Sequence, residues 1–359
     1  MYKLILNENN WKNQHYHLHF DLNQDGNNSS KINGWFVNLS SDIYTLRVVD
    51  KSGSLVEVIE CSKPRPRLAD IYPNIKDVVN SGFVVNTDIL SLGDEYTIAI
   101  FKGNTALFEV LSFVGKTPLL YVHIAKTAGS TVNKVLNEWF GSNNSLIHAE
   151  SKTNWKDRVR NREIQFLSGH IPYQEFVKTK ELNSYKKAIT FREPYSHIVS
   201  HLSWIRALSL HENKTRYEAH PEYIQVLSDK LANYDLSNPE QLTEVINSFN
   251  SLEHRLLDNT QTRYIRSETA KSTVDEADFM SAVNNLNSFD FVGVDNDISG
   301  FLAKIATEYD FEYVKEDRRE NVLNNKFGID VNNEEIRESL LSLIKYDIKL
   351  YSILIGNRT

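Results

Sequence analysis

Two short stretches of this sequence carry the residue types that hold phosphate-like anions. The first is Ala125-Lys126-Thr127-Ala128-Gly129-Ser130-Thr131, small residues with one lysine and adjacent hydroxyls. Backbone N–H groups in such a turn can cradle an anion when a helix starts behind it, and Gly129 permits close approach of the chain. Ser130 and Thr131 add hydroxyl donors, and Lys126 adds a positive charge. The second stretch runs from Arg192 through Glu193-Pro194 to Ser200. A guanidinium fork and a hydroxyl further along can meet one phosphate together. The first stretch reads as a phosphate site or, taken alone, as an ordinary strand-to-helix turn, and the second as another phosphate site.

The surrounding sequence predicts the elements that would position them. Residues 118–124 form a near-continuous apolar run, as in a buried parallel strand. Val132, Val135, Leu136, Trp139 and Phe140 follow at helical spacing. This strand-loop-helix is not a Walker A loop, whose lysine immediately precedes the Ser/Thr; Gly129 stands there and the early glycine is missing. Lys186 to Phe191 reads as another strand, Pro194 suits a first helical turn, and Ile198, Leu202 and Ile205 make an apolar stripe. From Lys116 onward strands alternate with longer helical patterns, which predicts α/β. Polar stretches 233–240 and 321–327 read as loops.

At 359 residues the chain suggests two domains, and 41% hydrophobic with 24% charged residues fits a globular protein. A net charge of −7 argues against a nucleic-acid or anionic-membrane binder, so a bound anion must be held by a local cluster of donors. The single cysteine, Cys61, excludes an intramolecular disulfide framework and a multi-cysteine zinc site. Residues 1–7 turn polar too early for a signal peptide, and no run approaches the roughly 20 apolar residues of a membrane span. A soluble, cytoplasmic protein is expected.

Up to Phe113 the texture is short strands and turns. Residues 46–49 and 54–59 flank a turn with Gly53, residues 81–85 and 96–101 read as further strands, and Lys102-Gly103-Asn104 as another turn. An antiparallel β-sandwich over residues 1–113 is expected. His15, His17 and His19 would share one strand face, either as metal-ligating imidazoles or as an outer polar stripe opposite Tyr16, Leu18 and Phe20. No matching carboxylate or cysteine cluster is identifiable, which favours the stripe. The order Gly34-Trp35, Gly53, Pro64-Arg65-Pro66-Arg67, Tyr72-Pro73 and Ser81-Gly82-Phe83 resembles an immunoglobulin-like domain found beside bacterial glycan-modifying enzymes.

His123 through Thr131, followed by Phe191-Arg192-Glu193-Pro194 through Ser200-His201, resembles the paired motifs of PAPS-dependent sulfotransferases (PAPS, 3′-phosphoadenosine 5′-phosphosulfate). The branch is that of the heparan-sulfate 2-O-sulfotransferases and many bacterial enzymes. Ala125 stands where that family usually has proline, a change expected to loosen the loop. Weaker echoes are Leu167 to Tyr173, Asn259 to Tyr264 and Phe291 to Val294, and the resemblance covers residues 117–355. It implies a P-loop-like three-layer domain with a central parallel sheet over residues 117–359. Residues 1–113 would be an accessory domain.

The implied activity is transfer of a sulfuryl group from PAPS to a hydroxyl acceptor, a carbohydrate or another small molecule. The resemblance makes Lys126, Thr127, Ala128, Gly129, Ser130, Thr131, Arg192, Ser200 and Lys326 the PAPS-binding residues. Lys126 would also stabilise the leaving phosphate oxygen. His170, following Gly169, becomes the general base, with Gly169 expected to turn the chain sharply; the alternative is a loop histidine bonded to backbone. His123 is expected to be structural, and His197 and His201 to be surface or packing residues. Gln261 and Arg263 either orient a substrate or stabilise the fold, and Asn324, Asn325 and Lys326 would belong to a loop over the nucleotide. No metal is implied, because Lys126, Arg192 and backbone dipoles meet the donor's charge. Two other classes remain: a P-loop kinase or similar NTP user, and a non-catalytic glycan-binding protein. The displaced lysine and the Arg192/Ser200 pair argue against the first. The presence of Lys126, Arg192, Ser200 and His170 together argues against the second. The sulfated position and the oligomeric state stay open.

Overall fold

Strand and turn chemistry in the N-terminal part builds two antiparallel sheets in a computed structural model, which describes residues 2–4, 10–21, 31–86, 95–115, 117–161, 164–267, 271–309, 311–313 and 327–356. One sheet has the order Tyr2–Leu4, Thr105–Gly115, Glu95–Lys102, Tyr44–Asp50, Leu55–Ile59; the other is Asn10–Lys12, Tyr16–Phe20, Lys31–Asn38, Gly82–Asn86. The hairpin turn after Tyr44–Asp50 is held by the Asp50 carboxylate, which accepts from Ser52 N and Ser54 N at 2.9 Å. Leu18, Phe20, Ile32 and Phe83 of one sheet share a core with Leu46, Val48, Ile98, Ile100 and Phe113 of the other. Each such buried side chain contributes roughly 1.5–3 kcal/mol.

The last strand of this unit runs to Gly115, past the expected boundary at Phe113, because Val114 pairs with Glu95 and Gly115 with Tyr2. The chain divides into two compact units, Met1–Pro118 with Asn161–Glu163, and Leu119–Arg160 with Ile164–Thr359.

Tyr16, Leu18 and Phe20 turn into the sandwich core, and the histidines beside them have separate partners. The His17 Nδ1 lies 2.5 Å from the Tyr72 hydroxyl. The His19 ring stacks on Trp35 at 5.6 Å and its Nε2 is 3.4 Å from an Asp21 carboxylate oxygen. His15 precedes the strand and stacks on Tyr44 at 5.9 Å.

The second unit is built on a five-stranded parallel sheet in the order Ser145–Leu146, Phe166–Gly169, Leu119–Val122, Lys186–Phe191, Phe291–Val294. Every residue of Leu119–Val122 and Phe166–Gly169 is buried, as a sheet covered on both faces requires. Leu120, Val122, Leu167 and Ile189 pack on one face with Tyr173, Phe176, Phe279 and Leu350. On the other face Tyr121, Phe166 and Phe291 meet Phe301, Phe140 and Tyr309 of the helices Gly129–Phe140 and Ile298–Tyr309. The result is three layers. Ile198, Leu202 and Ile205, the expected apolar stripe, pack into a separate helical core with Leu227, Leu242 and Leu340.

The expected loop 233–240 ends early, because Asn238 caps a helix, Pro239–Asn247, through a 3.0 Å bond from Gln241 N. Asn324, Asn325 and Lys326 lie outside the described residues. No described helix is long and apolar enough to cross a membrane.

Candidate active site

Four chain segments leave the carboxyl edge of the parallel sheet side by side. His170 follows Phe166–Gly169, the loop 123–128 follows Leu119–Val122, Arg192 follows Lys186–Phe191, and Asp295 follows Phe291–Val294. That edge of an open α/β sheet is where ligands bind. A cleft of about 1920 Å³ opens there, lined by Lys126, Ala128, Gly129, Ser130 and Thr131, by Arg192 and Ser200, and by His170. It exceeds the roughly 300–1,000 Å³ of a typical small-molecule site. Thr127 is the exception among the expected loop residues. Its side chain is fully buried, with Oγ1 donating to Ile124 O at 2.9 Å and lying 3.1 Å from Thr190 Oγ1. Only its backbone can serve a ligand.

Lys126 and Ala128 adopt left-handed φ values of 68° and 65°. For residues with a Cβ this costs about 1–2 kcal/mol each and must be held in place. Four successive loop carbonyls are captured. Thr127 Oγ1 takes Ile124 O at 2.9 Å, His197 Nε2 donates to Ala125 O at 2.8 Å, Arg192 Nη1 to Lys126 O at 3.1 Å, and Thr190 Oγ1 to Thr127 O at 2.9 Å. The amide N–H groups of residues 126–130, in contrast, find no acceptor among the described residues. Unpaired donors ahead of the helix Gly129–Phe140 make an anion cradle.

At Gly129 the side chain is excluded by His123, since a Cβ there would fall 1.9 Å from the imidazole. The glycine makes room for that histidine, and it also lines the cleft. His123 is buried, its Nδ1 3.3 Å from the Asn133 amide nitrogen, and burial first, then His170 and His148, hold its proton affinity well below the ordinary value. It is a neutral structural residue.

Burial, with Arg192 and Arg216 nearby, pushes the Lys126 ammonium down to about 8. Its Nζ sits 5.9 Å from the Trp204 ring centroid, and among the described residues no carboxylate pairs with it. An anionic ligand would relieve that position.

Arg192 is fixed from behind. Its N–H donates to Gln261 Oε1 at 2.7 Å and its carbonyl accepts from Gln261 Nε2 at 2.9 Å. Gln261 is anchored in turn: Asp347 accepts from Gln261 N at 3.2 Å and from Thr262 N and Oγ1 at 2.7 Å. Burial pushes the Asp347 carboxyl up to about 6 against these bonds. Arg263 Nη2 pairs with buried Asp258 at 2.8 Å. Gln261 thus holds the Arg192 backbone, and Arg263, though it lines the cleft, is tied to Asp258. The Arg192 guanidinium donates to Lys126 O through Nη1, and its Nε lies 3.2 Å from Asp295 Oδ2 as an ion pair without hydrogen-bond geometry.

His197 and His201 are both buried, neither at the surface. His197 holds the loop through Ala125 O, whereas the His201 Nδ1 has no hydrogen-bond partner among the described residues, and His201 is among the residues lining the cleft.

His170 is gripped at two points. Its N–H donates to Glu150 Oε2 at 2.8 Å, and its ring Nδ1 donates to His123 O at 2.9 Å, which leaves Nε2 with the lone pair. Burial lowers its proton affinity and the Glu150 charge partly restores it, so the neutral base form persists at neutral pH. The chain bends at His170, directly after Gly169, without a left-handed φ at the glycine. The glycine makes room, because a Cβ there would fall 2.8 Å from Glu150 Oε2.

Glu150, His148, Asp295 and Asp347 were not singled out in the sequence. Glu150, Asp295 and Asp347 join the site through pairings distant along the chain, and no local pattern marks them. His148 and Glu150, with Nδ1 and Oε1 3.4 Å apart, lie beside His170 with metal-ligand spacing.

No family model and no curated protein matches this chain. Among solved structures it is similar to a β-glucuronidase from Ruminococcus gnavus in complex with C6-substituted uronic isofagomine, at 11% identity and a TM-score of 0.14. The match covers 53% of this chain but only 33% of that one, and a likeness so slight carries no argument about fold or activity.

Proposed function

We propose that this protein is a sulfotransferase that moves a sulfuryl group from PAPS to a hydroxyl acceptor, a carbohydrate. One observation carries the reading. The amides and ammonium of loop 126–130, unpaired among the described residues, lie in one cleft with Arg192 from the strand on one side and His170 from the strand on the other. The loop suits the 5′-phosphosulfate, and Arg192 with Ser200 suits a second, unreactive phosphate. In the step itself the acceptor oxygen bonds sulfur as the bond from sulfur to the 5′-phosphate oxygen breaks. The departing electron pair stays on that oxygen, beside Lys126, and the acceptor proton passes to His170 Nε2. Such chemistry needs in-line placement and charge stabilisation more than a covalent intermediate. The acceptor class rests on the family resemblance and on the accompanying β-sandwich.

A melting scan tests the nucleotide. PAP (the desulfated product) raises the melting temperature without added metal, and magnesium-ATP does much less. A large magnesium-ATP shift with none from PAP would overturn the reading in favour of a kinase.

A further inference from the structure

Two neighbouring parallel strands deliver three ligand-type side chains to one point. His148 lies just beyond the edge strand Ser145–Leu146, with a left-handed φ of 55°, and Glu150 follows in the short turn Ala149–Ser151. His170 follows Phe166–Gly169, the strand paired with that edge. One nitrogen of each histidine and one carboxylate oxygen of Glu150 lie within 4.8 Å of one another.

We propose that His148, Glu150 and His170 form a binding site for a divalent transition cation of the zinc class. Ligand atoms about 2.0–2.2 Å from a shared ion stand roughly 3.3 Å apart in a tetrahedron. The His148 Nδ1 and Glu150 Oε1 already stand 3.4 Å apart. The His148 side chain is 53% exposed and free to close the remaining gap. Support behind the ligands is already built. A metal-ligating histidine commonly donates its other ring N–H to a carbonyl, as His170 Nδ1 does to His123 O at 2.9 Å. The second Glu150 oxygen is fixed by His170 N at 2.8 Å, and Gly169 leaves room for that carboxylate. Two imidazoles and one carboxylate select zinc, cobalt or nickel over magnesium and calcium. Glu150 and His170 line the cleft, so the position left open by three protein ligands faces it.

Binding does not depend on the transferase reading, but one consequence does: a cation on His170 Nε2 occupies the lone pair that accepts the acceptor's proton, and zinc then inhibits transfer.

The test is calorimetric titration of the full chain, stripped with chelator, with Zn²⁺, repeated with Co²⁺ while the visible absorption of the bound cobalt is followed. A single tight equivalent is expected, with an affinity that falls at least about tenfold in His148→Ala. His148 is exposed, so this variant should stay folded, which circular dichroism checks. Glu150→Gln, which can keep an acceptor for His170 N while losing the charge, gives a second reading, and its affinity falls too. Absence of saturable binding in the wild type overturns the proposal. So does unchanged affinity in His148→Ala, which would place the ion elsewhere, for instance on the N-terminal histidines.

Discussion

The two strand ends that meet in the cleft are held by different means. After Leu119–Val122 the loop is shaped by its own strained residues, with carbonyls 124–127 captured and amides 126–130 left over. After Lys186–Phe191 the backbone of Arg192 is clamped by a distant side chain, Gln261, itself seated on buried Asp347. The first arrangement presents backbone donors and one half-buried charge. The second presents a guanidinium at a fixed height. On the proposed reading the two would do different work: the loop would meet charge that develops during transfer, and Arg192 would recognise charge that stays put.

Opposite kinetic signatures would sharpen that contrast. Lys126→Ala is expected mainly to lower the transfer rate, by on the order of a hundredfold or more, with a smaller loss of PAP affinity, because it meets charge that grows further in the transition state. Arg192→Ala should mainly weaken PAP binding, by roughly tenfold to a hundredfold, the worth of a charge-assisted hydrogen bond. Single-turnover kinetics beside calorimetry separates the two effects. Identical losses in rate and affinity for both variants would erase the distinction.

A smaller effect follows from the proton on Lys126. Its folded value of about 8 lies below that of a free lysine, and a bound anion raises it. Below pH 8 the ammonium is already charged and PAP affinity is level. As pH rises through 8, binding must also take up a proton, and affinity falls by at most about tenfold per pH unit. Lys126→Arg removes this limb. A level affinity well above pH 8 in the wild type would show that Lys126 does not face the ligand's charge.

Much of the framework was legible because it rests on local rules. Alternation placed Tyr16, Leu18 and Phe20 in a core, and the apolar run 118–124 marked the central parallel strand. Pro194 marked the start of the helix Pro194–Leu208. What stayed hidden depends on contacts that sequence distance conceals. Gly129 and Gly169 looked like aids to a turn or a ligand, and each also makes way for a side chain, His123 and Glu150 respectively. The edge strand Ser145–Leu146 has only 2 residues, too few for any periodicity, so nothing pointed to His148 or Glu150 beside His170. Thr127 reads as one more loop hydroxyl until its burial against Thr190 is seen. The segment 258–263 is polar throughout and buried throughout, and that combination appears only when Asp347 closes over it.

The central claim is sulfuryl transfer with His170 as the base. It is tested most directly by incubating the protein, without added metal, with PAPS labelled in its sulfur and a panel of carbohydrate acceptors, and reading product mass. The expected result is a labelled product carrying one sulfate, formed by the wild type and slowed by about 10²–10⁴-fold in His170→Ala while PAP binding is kept. A wild type that binds PAP but transfers label to no hydroxyl acceptor, or a His170→Ala protein that transfers as fast as the wild type, would contradict it.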